Sequence, residues 1–361
     1  MATATLSTRQ LGRATLARQG LLDREKTPVR EAVERFGGLQ AQEPRPPFAG
    51  LWSRLAGFRR EDLHEALHAR EVVRATSMRA TLHLMSAADY AALRASLAPM
   101  LEQTMRTFTK ALDVDRVLAA ARVLLEEKPR TFNELRSLLA GEFPRANERA
   151  LGAAVRVRLP LVMVPTEDRW GFPRDSGFAL AEDWLEEPLS EDRTPERLVR
   201  RYLGAFGPAT AADVQAWSGL KGIKAVMEDL RPTLESFQDE RGRELFDLPD
   251  SPRPDEDAPA PARFLPDFDS LVLAHADRSR VIDDEHRALI ATKNLRIRAT
   301  FLVDGRVRGT WTVERKGKKA ALLLAPFKRL RKADSAALAE EGDALVRFLE
   351  DDAAGFDVRV R

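Results

Sequence analysis

Two uncharged amides stand one residue apart in "GGLQAQEPRPPFAGLWSRL", residues 37–55: Gln40 and Gln42. An amide carries a carbonyl acceptor and two N–H donors without charge. Two such groups can hold one water molecule and aim its lone pair, and their carbonyl dipoles can stabilise developing positive charge. They cannot protonate a leaving group, as one of the paired carboxylates of ordinary glycosidases does. The chemistry open to them is attack by water on a centre whose leaving group is already activated.

The neighbouring residues dictate how the pair is presented. Gly37-Gly38 weakens the helix that ends at Phe36. Pro44 pushes Glu43 out of the α region. Gln40 and Gln42 are therefore expected on non-helical backbone, with both amides projecting the same way and Ala41 turned inward, because residues i and i+2 share a face of an extended segment. Taken alone, the same six residues could merely cap the helix and fill turn hydrogen bonds.

Other polar residues are candidates for contact with a polyanionic partner. Arg54, in "GLWSRL", could meet phosphate, with Trp52 beside it in the core. Arg79, Thr81 and His83 alternate in "MRATLHLM" and are expected to share one strand face near the glutamines. "AHADRSRVI" gathers His275, Asp277, Arg278 and Arg280. It reads as an ion-pair network, from which Arg278 or Arg280 could reach phosphate. Lys316, Lys318 and Lys319 form a basic turn. His64 and His68 are four residues apart on a helix, but no third ligand accompanies them, and no metal site is expected. There is no phosphate-binding glycine loop and no Gly-x-Ser-x-Gly nucleophile.

The chain has 361 residues, 44% of them apolar, enough for two or three domains with real cores. It has no cysteine, which excludes disulfides, thiolate nucleophiles and cysteine-ligated zinc. Nothing resembles a signal peptide or a membrane span, so a soluble cytoplasmic protein is expected. Residues 1–110 carry 17 Lys and Arg against 11 Asp and Glu, whereas residues 111–250 carry 20 against 26. That asymmetry permits a polyanion partner at the N-terminal part, although solvated arginines would give the same count.

Stepping along the chain, helical stripes are followed by alternating β patterns three times, at irregular spacing. Residues 1–110, 111–190 and 191–250 read as tandem winged-helix modules. "TPVREAVERF", "REDLHEALHAR" and the hairpin "VVRATSMRATLHLM" belong to the first. A helix opened by Thr131 belongs to the second, and "TAADVQAWSGL" with "KGIKAVMEDL" to the third. "PDSPRPDEDAPAPA", residues 249–262, reads as a linker. Residues 263–361 are β-rich, with a hairpin turning at Asp304-Gly305 and a C-terminal amphipathic helix.

With "GGLQAQ…GLWSRL", "MRATLHLM", "LPDFDSLVLAHADRSRVI" and "FLVDGRVRGTW" in this order, the chain resembles the winged-helix DNA-binding family of AlkZ-like, azinomycin-resistance type DNA glycosylases, from about residue 7 to about residue 350. The resemblance implies an α+β fold with three winged-helix modules in a C-shaped arrangement and a C-terminal β-barrel-like domain. It also implies hydrolysis of the N-glycosidic bond of N7-alkylated purines, interstrand cross-links included. The family signature is glutamine, an aliphatic residue, glutamine, and Gln40-Ala41-Gln42 matches it. The expected protein is a monofunctional glycosylase that acts by water without a lyase lysine, a metal or another cofactor. Its partner is double-stranded DNA carrying alkylated purines, and it acts as a monomer. The alternative is a non-catalytic winged-helix regulator, for which the chain offers no obvious dimerisation helix.

Overall fold

The computed structural model describes residues 4–292 and 296–361. Three times along the chain, three helices precede a two-stranded hairpin. Val29–Arg35, Arg45–Arg54 and Arg60–His68 lead to strands Val72–Thr76 and Leu82–Ser86. Val114–Glu127, Phe132–Glu142 and Glu148–Arg158 lead to Leu161–Met163 and Gly177–Leu180. Glu196–Phe206, Ala211–Ser218 and Ile223–Leu230 lead to Glu235–Asp239 and Glu244–Asp247. The boundaries follow local chemistry. Thr131 and Thr210 open their helices with reciprocal capping boxes to Glu134 and Asp213, and Gly219, at φ +81°, closes the helix after Ser218.

The first two hairpins share a sheet. Their inner strands pair antiparallel, with Arg74 opposite Met163 and Ala75 opposite Val162. Two short edge strands, Leu39–Gln40 and Arg130–Thr131, complete six strands. The period-2 alternation sorts its side chains. Val73, Ala75, Met85, Val162 and Ala179 pack with Tyr202, Phe206 and Trp217 of the third unit, whereas Leu84, Leu161, Met163 and Phe178 pack with helices of the first two. The glutamine segment is thus an edge strand of a sheet buried on both faces.

The third hairpin lies in a separate sheet, where Thr5–Leu6 runs parallel to Glu235–Asp239. From that strand the helix Thr8–Arg18 crosses to the third unit, where Arg18 and Asp247 form a fully buried ion pair at 2.7 Å. The same helix holds the proline-rich segment down: Arg9 and Arg13 donate through Nε to the carbonyls of Glu256 and Ala258, both at 2.7 Å.

The C-terminal region corrects the barrel expectation. Its five strands, Arg263–Leu265, Thr300–Val303, Arg306–Lys316, Lys319–Pro326 and Gly355–Val360, are joined in linear order, so the first and last are edges and the sheet stays open. The last strand arrives through the helix Lys332–Leu349 and therefore pairs in parallel. That helix covers the face a closed barrel would have turned inward, burying Leu338, Leu345, Val346 and Leu349 against Phe264 and Leu322. Asp304 and Gly305 turn their hairpin with φ of +51° and +72°, both left-handed as a tight two-residue turn requires.

Candidate active site at the glutamine turn

The helix Val29–Arg35 is stopped by two consecutive left-handed glycines, Gly37 at φ +71° and Gly38 at φ +79°. The Gly38 amide reaches back to the Val33 carbonyl at 2.9 Å, the wide hydrogen bond of a glycine-terminated helix end. A side chain at Gly38 would also lie 3.1 Å from the Leu84 carbonyl. The chain then runs extended as Leu39–Gln40, with Gln40 opposite His83, and Ala41 donates its amide to the Leu82 carbonyl at 2.8 Å. Helical backbone resumes at Arg45.

On this frame the two glutamines are presented differently. Ala41 is fully buried, as expected. Gln42 is exposed, and its Oε1 accepts a long 3.4 Å contact from the Leu82 amide. Gln40 is only 9% exposed, and its Oε1 accepts from Arg79 Nη2 at 3.0 Å. The expected equal projection of both amides gives way to one open amide and one anchored amide.

Two arginines of the facing hairpin hold the turn. Arg74 donates Nε to the Ala41 carbonyl at 2.8 Å and Nη2 to the Gln42 carbonyl at 3.2 Å, while its guanidinium lies 4.9 Å from the centre of the Phe172 ring. Burial lowers its pKa to about 10. Arg79 donates its other terminal nitrogen to the Trp217 carbonyl of the third unit. Its pKa is also lowered to about 10, by burial and then by the nearby Arg278. His83 is fully buried; its Nδ1–H donates to the Thr81 carbonyl at 3.1 Å, and Nε2 has no hydrogen-bond partner among the described residues. Burial, then the Arg79 charge, pushes its pKa down to about 3, so the ring is neutral at physiological pH.

The sequence missed Arg74, whose signal was a lone cation in the otherwise apolar strand "VVRAT". It also misplaced Arg79. The regular strand begins only at Leu82, and Arg79 and Ala80 form a left-handed turn at φ +54° and +58°. The expected alternation of Arg79, Thr81 and His83 on one strand face is broken there. Thr81 spends its hydroxyl on the Met78 carbonyl at 3.1 Å.

The remaining candidates lie elsewhere. The Arg54 guanidinium is inside the protein, paired with Asp269, rather than at the surface where a phosphate would meet it. Trp52 is half-buried, stacked on Phe348 with Arg24 over its ring. Arg280 is buried among the carbonyls of Phe206 and Pro208 and the hydroxyl of Thr15. Asp277 is in an ion-pair network, but with Arg241 and Arg243 rather than its sequence neighbours. His275 is buried and donates to the Phe206 carbonyl at 3.0 Å. Arg278 is half-buried near Arg79. Lys316, Lys318 and Lys319 are exposed at a hairpin tip of the C-terminal sheet. His64 and His68 stack, with His64 against the Arg169 carbonyl and His68 beside Glu167. Among the described residues, Asp283, Glu285 and His286 have ligand atoms close enough to share a cation. Asp283 is already paired with Arg306 and Arg308, and Glu285 with Lys328.

A cleft of about 490 Å³ opens beside the turn, between the helix Arg45–Arg54 and the C-terminal sheet, lined by Glu43, Arg45, Arg298 and Trp311 among others. Neither glutamine lines it; Gln42 is exposed beside it, whereas Gln40 is buried. No described helix is long and apolar enough to cross a membrane.

The family model of AlkZ-like DNA glycosylases matches residues 33–348. An interstrand DNA cross-link repair glycosylase of Streptomyces sahachiroi is 26% identical over 332 residues, covering 85% of this chain and 88% of the relative. The solved structure of the Streptomyces sahachiroi DNA glycosylase AlkZ superimposes with a TM-score of 0.80 at 22% identity, covering 99% of this chain and all of that one.

Proposed function

The chain belongs to the AlkZ-like DNA glycosylase family, and from that premise we propose that it hydrolyses the N-glycosidic bond of cationic N7-alkylated purines in double-stranded DNA, interstrand cross-links included, with water held at the Gln40–Gln42 turn. The observation that carries this reading is an exposed amide, Gln42, on a non-helical turn whose backbone carbonyls are gripped by the buried Arg74.

The chemistry suits neutral groups. An N7-alkylated purine is already cationic and departs as a neutral base, taking the C1′–N9 electron pair, so no general acid is required. Water forms the new bond to C1′ and loses its proton to solvent. The carbonyl of Gln42 can accept a hydrogen bond from that water, and its dipole favours the oxocarbenium-like transition state. The DNA phosphates add negative charge nearby. The exposure of the Gln42 amide suits a bulky lesion, which a closed base-flipping pocket would not admit. The three helix–hairpin units are read as winged-helix modules that track the duplex as a monomer, with Arg278, Lys316 and Lys318 meeting phosphates.

The test is release of base from a duplex carrying N7-methylguanine, read as abasic sites, beside the same duplex with unmodified guanine. Base release from the methylated strand alone, reduced by Gln42→Ala and Gln40→Ala, is expected. Equal rates on both duplexes would overturn the leaving-group argument, and full activity in both variants would remove the site. Binding without any base release would favour the non-catalytic regulator, which shares the fold.

A further inference from the structure

We infer that Arg79 is a positioning residue of the glutamine turn: it locks the Gln40 amide with its carbonyl inward, so that Gln40 orients while Gln42 accepts the proton side of the water. The inference rests on the turn being the reactive site and divides the work between its two amides.

The geometry is a bridge. One terminal nitrogen of Arg79 donates to Gln40 Oε1 at 3.0 Å, and the other donates to the backbone carbonyl of Trp217. Trp217 belongs to a helix of the third unit and is itself almost fully buried. The guanidinium therefore ties the edge-strand amide to a rigid part of another unit. Only a planar fork with two terminal donors reaches both partners; a lysine ammonium on a thinner stem would hold one. With its oxygen held inward, the amide of Gln40 points its NH2 group away from Arg79. That end can donate to a water or a sugar oxygen but cannot take a proton-bearing contact. Gln42, whose oxygen makes only the long contact to Leu82, keeps its acceptor free.

Two features are unfavourable in themselves and call for a function. Arg79 is a mostly buried cation with no carboxylate partner among the described residues, an arrangement that interiors avoid. Arg79 and Ala80 are also consecutive left-handed residues without being glycine, at φ +54° and +58°, a conformation that strains L residues and collects at functional sites. The turn is nonetheless closed by Ser77 donating to Thr81 and Ala80 to Ser77, both at 3.0 Å. Gly219 packs against the Arg79 backbone, where a Cβ would sit 3.5 Å from its Cα. The backbone is bent so that this one side chain enters behind Gln40. Both terminal nitrogens are then committed inward, which separates this role from a phosphate contact.

The experiment compares Arg79→Ala, Arg79→Lys, Gln40→Ala and the Arg79→Ala/Gln40→Ala double variant. Single-turnover base release is measured on the N7-methylguanine duplex with protein in excess, and duplex affinity is measured across a salt series. The saturating rate constant should fall by about tenfold or more in Arg79→Ala, with affinity and salt slope unchanged and the double variant no slower than Gln40→Ala. An unchanged saturating rate with a salt slope reduced by about 0.9, one phosphate's worth, would overturn the inference, as would multiplicative losses in the double variant. A second measurement does not depend on activity. Among the seven glutamines of the chain, labelled with 15N and assigned through Gln40→Ala, the Gln40 side-chain signals should move in Arg79→Lys while the distant ones stay. Unmoved Gln40 signals would overturn the inference even if the protein released no base, a result that would by itself defeat only the proposed activity. Arg79→Lys keeps the charge and serves where Arg79→Ala fails to fold.

Discussion

Arg54 and Asp269 form a two-bond ion pair, Nη1 to Oδ2 at 2.9 Å and Nη2 to Oδ1 at 2.8 Å, with both side chains buried. The pair joins the helix that follows the glutamine turn to the start of the C-terminal region, where Asp269 also caps the short turn at Ser270 by accepting from the Leu271 amide. Removing one partner leaves the other buried and uncompensated. Arg54→Ala should lower stability by about 3–5 kcal/mol, read by denaturant unfolding. The salt dependence of duplex binding by the folded fraction should stay at the wild-type value. A mild stability loss with a shallower salt slope would place Arg54 on DNA instead.

Gly38 sets where the edge strand starts. Gly38→Ala places a side chain on left-handed backbone and against the Leu84 carbonyl. The strain should lower stability by about 1–2 kcal/mol. Relief by shifting the strand would move Gln40 away from Arg79, so base release should fall well beyond what the lost folded population explains. Parallel measurement of melting and single-turnover rate checks this; loss of stability with full activity in the folded protein would show that the strand's start does not set the glutamine.

Arg74 braces the turn from the opposite face of the sheet to His83. In Arg74→Met the Ala41 and Gln42 carbonyls lose their donors, while the stem still packs near Phe172. The saturating rate should drop by about tenfold or more, with DNA affinity within twofold of wild type. A selective loss of affinity would mean that Arg74 leaves the turn to meet the backbone of DNA.

Features encoded by neighbouring residues were legible in the sequence. Thr131 announces a helix start and Asp304-Gly305 a tight hairpin. The non-helical backbone of Gln40–Gln42 followed from Gly37-Gly38 and Pro44. Which strand meets which was not encoded locally. Arg74 opposite Met163 fuses two hairpins far apart in sequence, and no pattern within either hairpin names its partner. The left-handed pair Arg79-Ala80 was missed for a related reason. Without a glycine the segment reads as extended, and beside its own closing hydrogen bonds the bend is packed against Trp217 and Gly219 in another unit. The unequal presentation of the glutamines follows from that bend.

His83 provides a pH prediction through burial. Its pKa is about 3 in the folded protein, against an ordinary value near 6.5. Between those values the unfolded chain binds a proton that the folded chain does not, so this histidine makes stability rise with pH across the window and fall as pH drops through it. His275, likewise buried with a pKa of about 3, adds the same sign. Unfolding measured from pH 7 down to pH 4 should therefore show a steady loss of stability, and the slope should be shallower in His83→Gln, which cannot take up the proton. Base release at saturating protein should meanwhile show no inflection near pH 6.5 while the protein remains folded, because neither histidine changes charge there and the glutamines do not titrate. An inflection at that pH that disappears in His83→Gln would make the ring a participant in the chemistry and would require its Nε2 to be open to water.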